Sequence, residues 1–206
     1  MHISEGVLSG PVLVAGAAVA LTGTAIGLKK LELDQVPQAG MLSAAFFVAS
    51  LIHVPIGPSN VHLILNGIVG LLLGWAAFPA ILTALLLQAM MFQFGGITTL
   101  GVNTVIMALP ALVCYMLFRP FVLKSPRLAL PAAFACGAGS VFLGAVLVGA
   151  SLMFTESGFF EVAGLVVTAH LPVMVIEGII TEFCVAFLKK VKPELLSGEP
   201  RQRPPA

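Results

Sequence analysis

The sequence predicts an all-α membrane protein, a polytopic helical bundle of about seven transmembrane segments with the N-terminus outside. Three observations predict it. Of 206 residues, 59% are hydrophobic and 9% charged, against roughly 45–50% and about 25% in soluble domains, and the mean hydropathy is +1.08. The apolar residues come in long runs, such as Gly10 to Leu28 and Arg127 to Phe154, of the ~20-residue length a helix needs to cross hydrocarbon. These runs are continuous and lack the alternation of a β-barrel. The Lys and Arg residues, finally, fall on alternate connections.

Segment one covers about residues 9–28. No positive charge precedes it and Lys29-Lys30 follows it, the reverse of a signal peptide, so it is expected to be retained. Segment two, about 40–56, starts beyond Gln35-Val-Pro-Gln38 and ends in Pro55-Ile-Gly-Pro-Ser-Asn60. Segments three and four, about 61–76 and 79–95, meet at Phe78-Pro79; both are short and fit either two crossings or one re-entrant hairpin. Segment five, about 102–120, begins after Gly95-Gly96, and segments six and seven, about 127–154 and 160–188, are separated by Thr155-Glu-Ser-Gly158.

With the N-terminus outside, every basic residue is cytoplasmic: Lys29 and Lys30 after segment one, Arg119, Lys124 and Arg127 around the loop after five, and Lys189, Lys190, Lys192, Arg201 and Arg203 after seven. Residues 1–190 read as one transmembrane domain and 191–206 as a disordered cytoplasmic tail. The net charge of +1 suggests neither nucleic acid nor an acidic partner. Cys114, Cys136 and Cys184 lie inside apolar runs without CxxC spacing and read as small buried hydrophobes. Small residues at four-residue spacing, Gly16/Ala20, Gly23/Gly27 and Gly70/Gly74, read first as helix packing and second as a docking face.

The most informative dipeptide is Met1-His2. A free α-amine, the residue-2 amide nitrogen and His2 Nδ1 can chelate one ion through two fused rings, giving three coplanar nitrogens. Such a plane suits Ni(II) or Cu(II) and serves tetrahedral Zn(II) poorly. Taken alone, a histidine at position 2 is more often an ordinary surface side chain. A fourth ligand must come from His53, His62 or His170. His62 is the best placed, opening segment three after a rigid loop; His53 is a candidate to orient a ligand by a hydrogen bond, and a satisfied core histidine is at least as good a reading.

Segment seven carries His170, Glu177, Thr181 and Glu182. Ionisable groups within a span are functional candidates by default, and a buried polar pair that fixes packing is the structural alternative. Glu177 and Glu182 lie too deep to reach an ion beside His2. Asn66, Gln88, Gln93, Thr98, Thr99 and Asn103 add neutral hydrogen-bonding groups that would line a small polar cavity; of these Asn66, Gln93, Thr98 and Asn103, with His53, are the candidates to surround the ligands.

Four motifs occur in order: Met1-His-Ile-Ser-Glu-Gly6, Ser59-Asn-Val-His-Leu-Ile-Leu-Asn-Gly67, Gly95-Gly-Ile-Thr-Thr-Leu-Gly-Val-Asn-Thr104, and His170-Leu-Pro with Glu177-Gly and Thr181. On these the chain, up to about Lys190, resembles the CbiM/NikM family, the substrate-capture components of energy-coupling-factor transporters for cobalt and nickel. The resemblance implies a seven-helix architecture with the N-terminus folded into the site. It implies metal ligation by the Met1 amine, the His2 amide, the His2 imidazole and an imidazole at His62. The implied partners are a transmembrane coupling subunit, two cytoplasmic ATP-binding-cassette ATPases and a small accessory membrane subunit. The run Val61-His-Leu-Ile-Leu-Asn66 looks like the nickel branch, so Ni(II) is the expected cargo and Co(II), for cobalamin synthesis, the nearest alternative.

No Gly-Lys dipeptide occurs, so the chain carries no Walker A loop and energy must come from a partner. An intramembrane enzyme is disfavoured, because HExxH is absent and no Ser or Cys has a credible base partner. The rival from another class is a proton-coupled secondary carrier that relays protons through His170, Glu177 and Glu182.

Overall fold

A computed structural model of the chain describes residues 2–56, 59–155 and 160–197. Helix α1, Gly10–Lys30, starts on Pro11, whose missing N–H costs nothing in a first turn, and ends on Lys29-Lys30, which complement the helix dipole. A 3-10 turn, Leu33–Gln35, leads into α2, Val36–Ala49. Beyond Ala49 the helix winds down through Leu51 N–H to Val48 O and Ile52 N–H to Ala49 O. Pro55 stops it from continuing, since a proline lacks the N–H and clashes with the preceding turn. The chain then forms an antiparallel hairpin of β1, His53–Ile56, and β2, Ser59–His62, with His53 paired to His62. Residues 50–56 and 61–65 were expected to be helical at the end of segment two and the start of segment three; 53–56 and 61–62 are strand, and 63–65 are non-helical chain.

Helix α3, Asn66–Leu73, descends beside α5, Leu100–Lys124, in the same direction. Asn66 Nδ2 donates to Met107 O, Gly70 lies against Ala111, and Gly74 lies against Tyr115. There the chain reverses. Gly74 has φ +54° and ψ −120°, a backbone state open to glycine and strained for other residues, within the 3-10 turn Gly74–Ala76. Helix α4, Ala77–Phe92, climbs back until Gln88 reaches His2. Segments three and four are therefore a helical reversal. Residues Asn66–Phe92 have the length and hydropathy of one span without being one straight helix.

Helix α6 is Ala129–Met153, α7 Phe160–Ala169, α8 Leu171–Val191 and α9 Glu194–Ser197. Segment seven is thus two helices. The break falls at His170, just ahead of Pro172, which removes the donor that would carry α7 onward. Among the described residues, the stretches long and apolar enough to cross a membrane are α1, the α3–α4 stretch, α5, α6 and α8; α2, at 14 residues, and α3, at 8, are shorter than a span.

Gly16 backs onto Val102, Gly23 onto Phe78, and Gly27 onto Trp75 and Pro79, so the small residues of α1 serve packing within the bundle. Lys30 Nζ sits over the Trp75 ring at 4.9 Å, Lys189 Nζ donates to Val122 O, and Arg119 donates to Leu196 O. These cations share the end of the bundle opposite His2. The expected tail begins as the end of α8 and continues into α9, where Leu196 is buried; residues 198–206 lie outside the described residues.

Candidate metal site

Residues 2–9 run as non-helical chain into the top of the bundle, where Ile3 and Leu8 are buried in the main apolar core. One side chain fixes their register. Asn103, buried on α5, accepts from Ile3 N–H through Oδ1 at 2.9 Å and donates from Nδ2 to Ile3 O at 3.0 Å. Thr99, buried one turn earlier, holds that amide from behind by accepting from Asn103 Nδ2 at 3.2 Å. Glu5 adds a second attachment: its N–H donates to Gly95 O at 3.1 Å, and its Oε1 accepts from Thr98 N–H at 3.1 Å. Gly96, at φ +142°, lies so close that a Cβ there would overlap the Glu5 side chain.

The second segment comes from the hairpin. After His62, at the end of β2, Leu63 N–H donates to Ile52 O at 3.3 Å. Ile64 and Leu65 then turn their N–H groups to the carboxylate of Glu177, fully buried on α8. Leu65 sits at φ +55°, a left-handed conformation that costs a non-glycine residue about 1–2 kcal/mol. The carboxylate that holds its N–H also faces the N-terminus of α3, where the helix dipole favours an anion.

These two attachments bring His2 and His62 together. His2 Nδ1 lies 3.1 Å from His62 Nε2, with ring centroids 4.9 Å apart and planes tilted by 38°. His62 Nδ1 lies 2.9 Å from Leu63 O, which only accepts, so Nδ1 carries the proton and the Nε2 lone pair is turned toward His2. His2 Nε2, on the far side of its ring, lies 2.9 Å from Gln88 Oε1. Phe94 covers His2 with its ring centroid 6.1 Å away. An ion about 2.0 Å from each facing nitrogen would subtend roughly 100° between them, an angle of neighbouring corners in a square plane; opposite corners would need about 4 Å.

Met1 and the side chain of His53 lie outside the described residues. His53 itself is on strand β1, paired through its backbone with His62. Asn66 is buried below the pair, accepting from Ser140 Oγ at 2.9 Å. Gln93 is exposed at the end of α4, and Thr98 meets the N-terminal segment through its backbone alone. His170 Nδ1 donates to Val166 O at 2.7 Å, inside its own helix turn. Thr181 is fully buried against Gly137, and Glu182 is half-buried. His170 caps the start of α8, its carbonyl accepting from Met174 N–H at 2.9 Å, so it belongs to the helix that carries Glu177 and Thr181. Among the described residues, no group of three or more His, Cys, Asp and Glu side chains gathers as a metal cluster.

The sequence reading placed Gln88 among the groups lining a polar cavity but gave it no partner, and it missed Ser50. Gln88 was visible as a polar residue in the apolar run Leu85-Leu-Leu-Gln-Ala-Met90, yet nothing in its neighbours marks it as a partner of His2. Ser50, which accepts from Gln88 Nε2 at 2.6 Å, had no signal beyond a hydroxyl at the end of a hydrophobic run.

The chain is similar to known proteins over nearly its whole length. The family model described as "Cobalt uptake substrate-specific transmembrane region" matches residues 2–195. A putative metal transport protein of Haemophilus influenzae is 43% identical over 202 residues, covering 96% of this chain and 97% of that one. The fused nickel transport protein NikMN of Rhodobacter capsulatus is 33% identical over 235 residues, covering 100% of this chain and 66% of the longer protein. The cobalt transport protein CbiM of Sorangium cellulosum is 30% identical over 213 residues, 95% of this chain and 94% of that one. A crystal structure of a transition metal transporter superposes with a TM-score of 0.74 at 27% identity, covering 99% of this chain and all of that one.

Proposed function

Since this chain belongs to the CbiM/NikM family of transition-metal capture components, we propose that it is the substrate-binding subunit of an ATP-driven energy-coupling-factor importer for Ni(II). The ion would be held in a four-nitrogen square plane by the Met1 amine, the His2 amide, His2 Nδ1 and His62 Nε2. The observation that carries this reading is the 3.1 Å approach of His2 Nδ1 to His62 Nε2, two residues 60 apart in the chain, with the His62 lone pair turned inward. The separation suits neighbouring corners of a plane, the relation the chelate requires of these two nitrogens. Residue 3 is anchored through both its N–H and its carbonyl, which fixes the chain from which the proposed amine and amide ligands would come.

In this reading the His2 end faces outward and the end bearing Lys30, Arg119 and Lys189 faces the cytoplasm, where the coupling subunit, the ATPases and a small accessory subunit would act. The names of the nickel and cobalt relatives support metal transport and divide on the ion. Nickel is preferred because four nitrogens with empty axial positions suit low-spin Ni(II); Co(II) is the second reading. A proton-relay carrier has less support, because Glu177 is engaged with two backbone N–H groups and His170 with Val166 O.

The test is metal loading of purified protein in lipid nanodiscs. Native protein should bind one Ni(II) as a diamagnetic, yellow-to-orange centre. A tag fused ahead of Met1 should abolish binding while leaving a folded membrane protein, because it turns the free amine into a peptide amide and takes the terminal donor out of the chelate. His62→Ala should abolish it as well. Stoichiometric nickel in the tagged variant, or a paramagnetic six-coordinate centre in the native protein, would sink the four-nitrogen site; preferential loading of Co(II) from an equimolar mixture would select the second reading.

A further inference from the structure

We propose that Gln88 is a positioning residue: with Ser50 it locks the His2 imidazole in the one tautomer able to accept a metal through Nδ1. The inference rests on the capture reading for its purpose and on hydrogen-bond bookkeeping for its content.

The bookkeeping begins at a backbone carbonyl. Ser50 Oγ lies 2.7 Å from Phe47 O, which can only accept, so the single hydroxyl proton is committed there. Toward Gln88, 2.6 Å away, Ser50 can then only accept, so the amide atom facing it must be Nε2. That sets the flip of the side chain and turns Oε1 to His2 Nε2 at 2.9 Å. Oε1 has no proton to give, so His2 Nε2 carries one. In the neutral ring this leaves a lone pair on Nδ1, aimed at His62 Nε2. Gln88 is fully buried and Ser50 is 1% exposed, which keeps bulk water from substituting for either partner.

The alternative state shows why a lock matters. Without an acceptor at Nε2, the His2 proton would move to Nδ1 and be donated across the 3.1 Å gap to His62 Nε2. The two rings would then be hydrogen-bonded to each other, with a proton where the ion belongs. To reach that state the Gln88 amide would have to turn its NH₂ to His2, and Ser50 would have to leave Phe47 O to donate to Gln88. The chain from Phe47 O through Ser50 and Gln88 opposes this and keeps the proton on Nε2, so that Nδ1 is an acceptor on the side that faces His62.

The measurement is made on the metal-free full-length protein in nanodiscs, labelled with nitrogen-15 histidine, with His2 assigned by its loss in His2→Ala. Native protein should show a proton on His2 Nε2 and a pyridine-like Nδ1. Gln88→Met, close in length and without an acceptor, should move the proton to Nδ1 in a large part of the population and weaken Ni(II) binding by about 10–100-fold, as loss of a ligand-orienting partner does. Gln88→Glu, which still accepts from Nε2–H and can take the Ser50 proton, should restore the native tautomer and bring Kd back to within a few-fold. Ser50→Ala, which frees the amide to flip, should give an intermediate tautomer ratio, and it carries the test if Gln88→Met does not fold. A native His2 protonated at Nδ1, or Gln88→Glu as impaired as Gln88→Met, would overturn the lock. If the tautomers respond as expected while the native protein binds no nickel, the lock stands and the capture reading fails.

Discussion

Residues 2–9 and residues 62–65 both enter the bundle as non-helical chain, each carries one of the facing histidines, and they are held by opposite chemistry. The first is held by a neutral amide: Asn103 both accepts from and donates to Ile3, matching the backbone group for group. The second is held by a buried carboxylate that only accepts, with Glu177 taking the N–H groups of Ile64 and Leu65. The difference follows from what each segment leaves unpaired. Around Ile3 one donor and one acceptor need partners, whereas at residues 64 and 65 two donors point the same way, ahead of a helix N-terminus. An amide suits the first site and an acceptor-only group the second.

The largest effect should come from removing the acceptor. Glu177→Leu strands two buried N–H groups at about 1–3 kcal/mol each and leaves the left-handed Leu65 without the contact that holds it. The expected loss is about 3 kcal/mol of stability, measured by chemical unfolding in mild detergent, with Ni(II) affinity down by about 100-fold because His62 is three residues from Leu65. Glu177→Gln keeps one oxygen where both N–H groups converge, so it should retain the nickel spectrum and most of the stability. If Gln proves as damaging as Leu, it is the charge beside α3 that holds the segment.

Asn103→Asp comes next and inverts the comparison. The carboxylate can still accept from Ile3 N–H, but its second oxygen would face Ile3 O with no proton between them. About 2 kcal/mol of stability should be lost, and nickel affinity should fall by about 10-fold, read by titration in nanodiscs. At position 177 the acid-to-amide change is thus expected to be mild, and at position 103 the amide-to-acid change severe. Equal costs at the two positions would mean that polarity alone, and not donor–acceptor matching, holds the segments.

This contrast also marks what the sequence could reveal. The spans were legible because hydrophobic length has a direct physical cause, and His2 and His62 were legible because each stands at the start of a segment where polar chemistry is allowed. The stretches 50–56 and 61–65 were not: Leu51, Ile52, Val54, Ile56, Val61, Leu63, Ile64 and Leu65 are as apolar as any helix, and hydropathy does not separate helix from non-helical chain. Counting turns along segment seven rightly put Glu177 below His2 but did not show that the chain after His62 descends to meet it, so that a residue remote from His2 holds the segment that bears His62. Gln88 and Ser50 act through a reversal at Gly74 and a helix end at Ala49, which a linear pattern does not bring together.

The smallest effect is expected where the N-terminal segment meets solvent. Glu5 is exposed, and its carboxylate accepts from Thr98 N–H in competition with water. Such a contact contributes about 0.5–1 kcal/mol, so Glu5→Ala should weaken nickel binding by about two- to fivefold without a detectable change in unfolding. Gly96→Ala probes the same contact from the other side. It forces a side chain onto Glu5 and a non-glycine residue into φ +142°, two costs of different origin. In the Glu5→Ala background the overlap disappears and the backbone strain stays, so the second substitution should cost less there than in the native protein, but still something. Full additivity would mean that residues 5 and 96 do not press on each other in the membrane. A Glu5→Ala effect as large as that of Asn103→Asp would mean that the rim, and not the buried amide, positions His2.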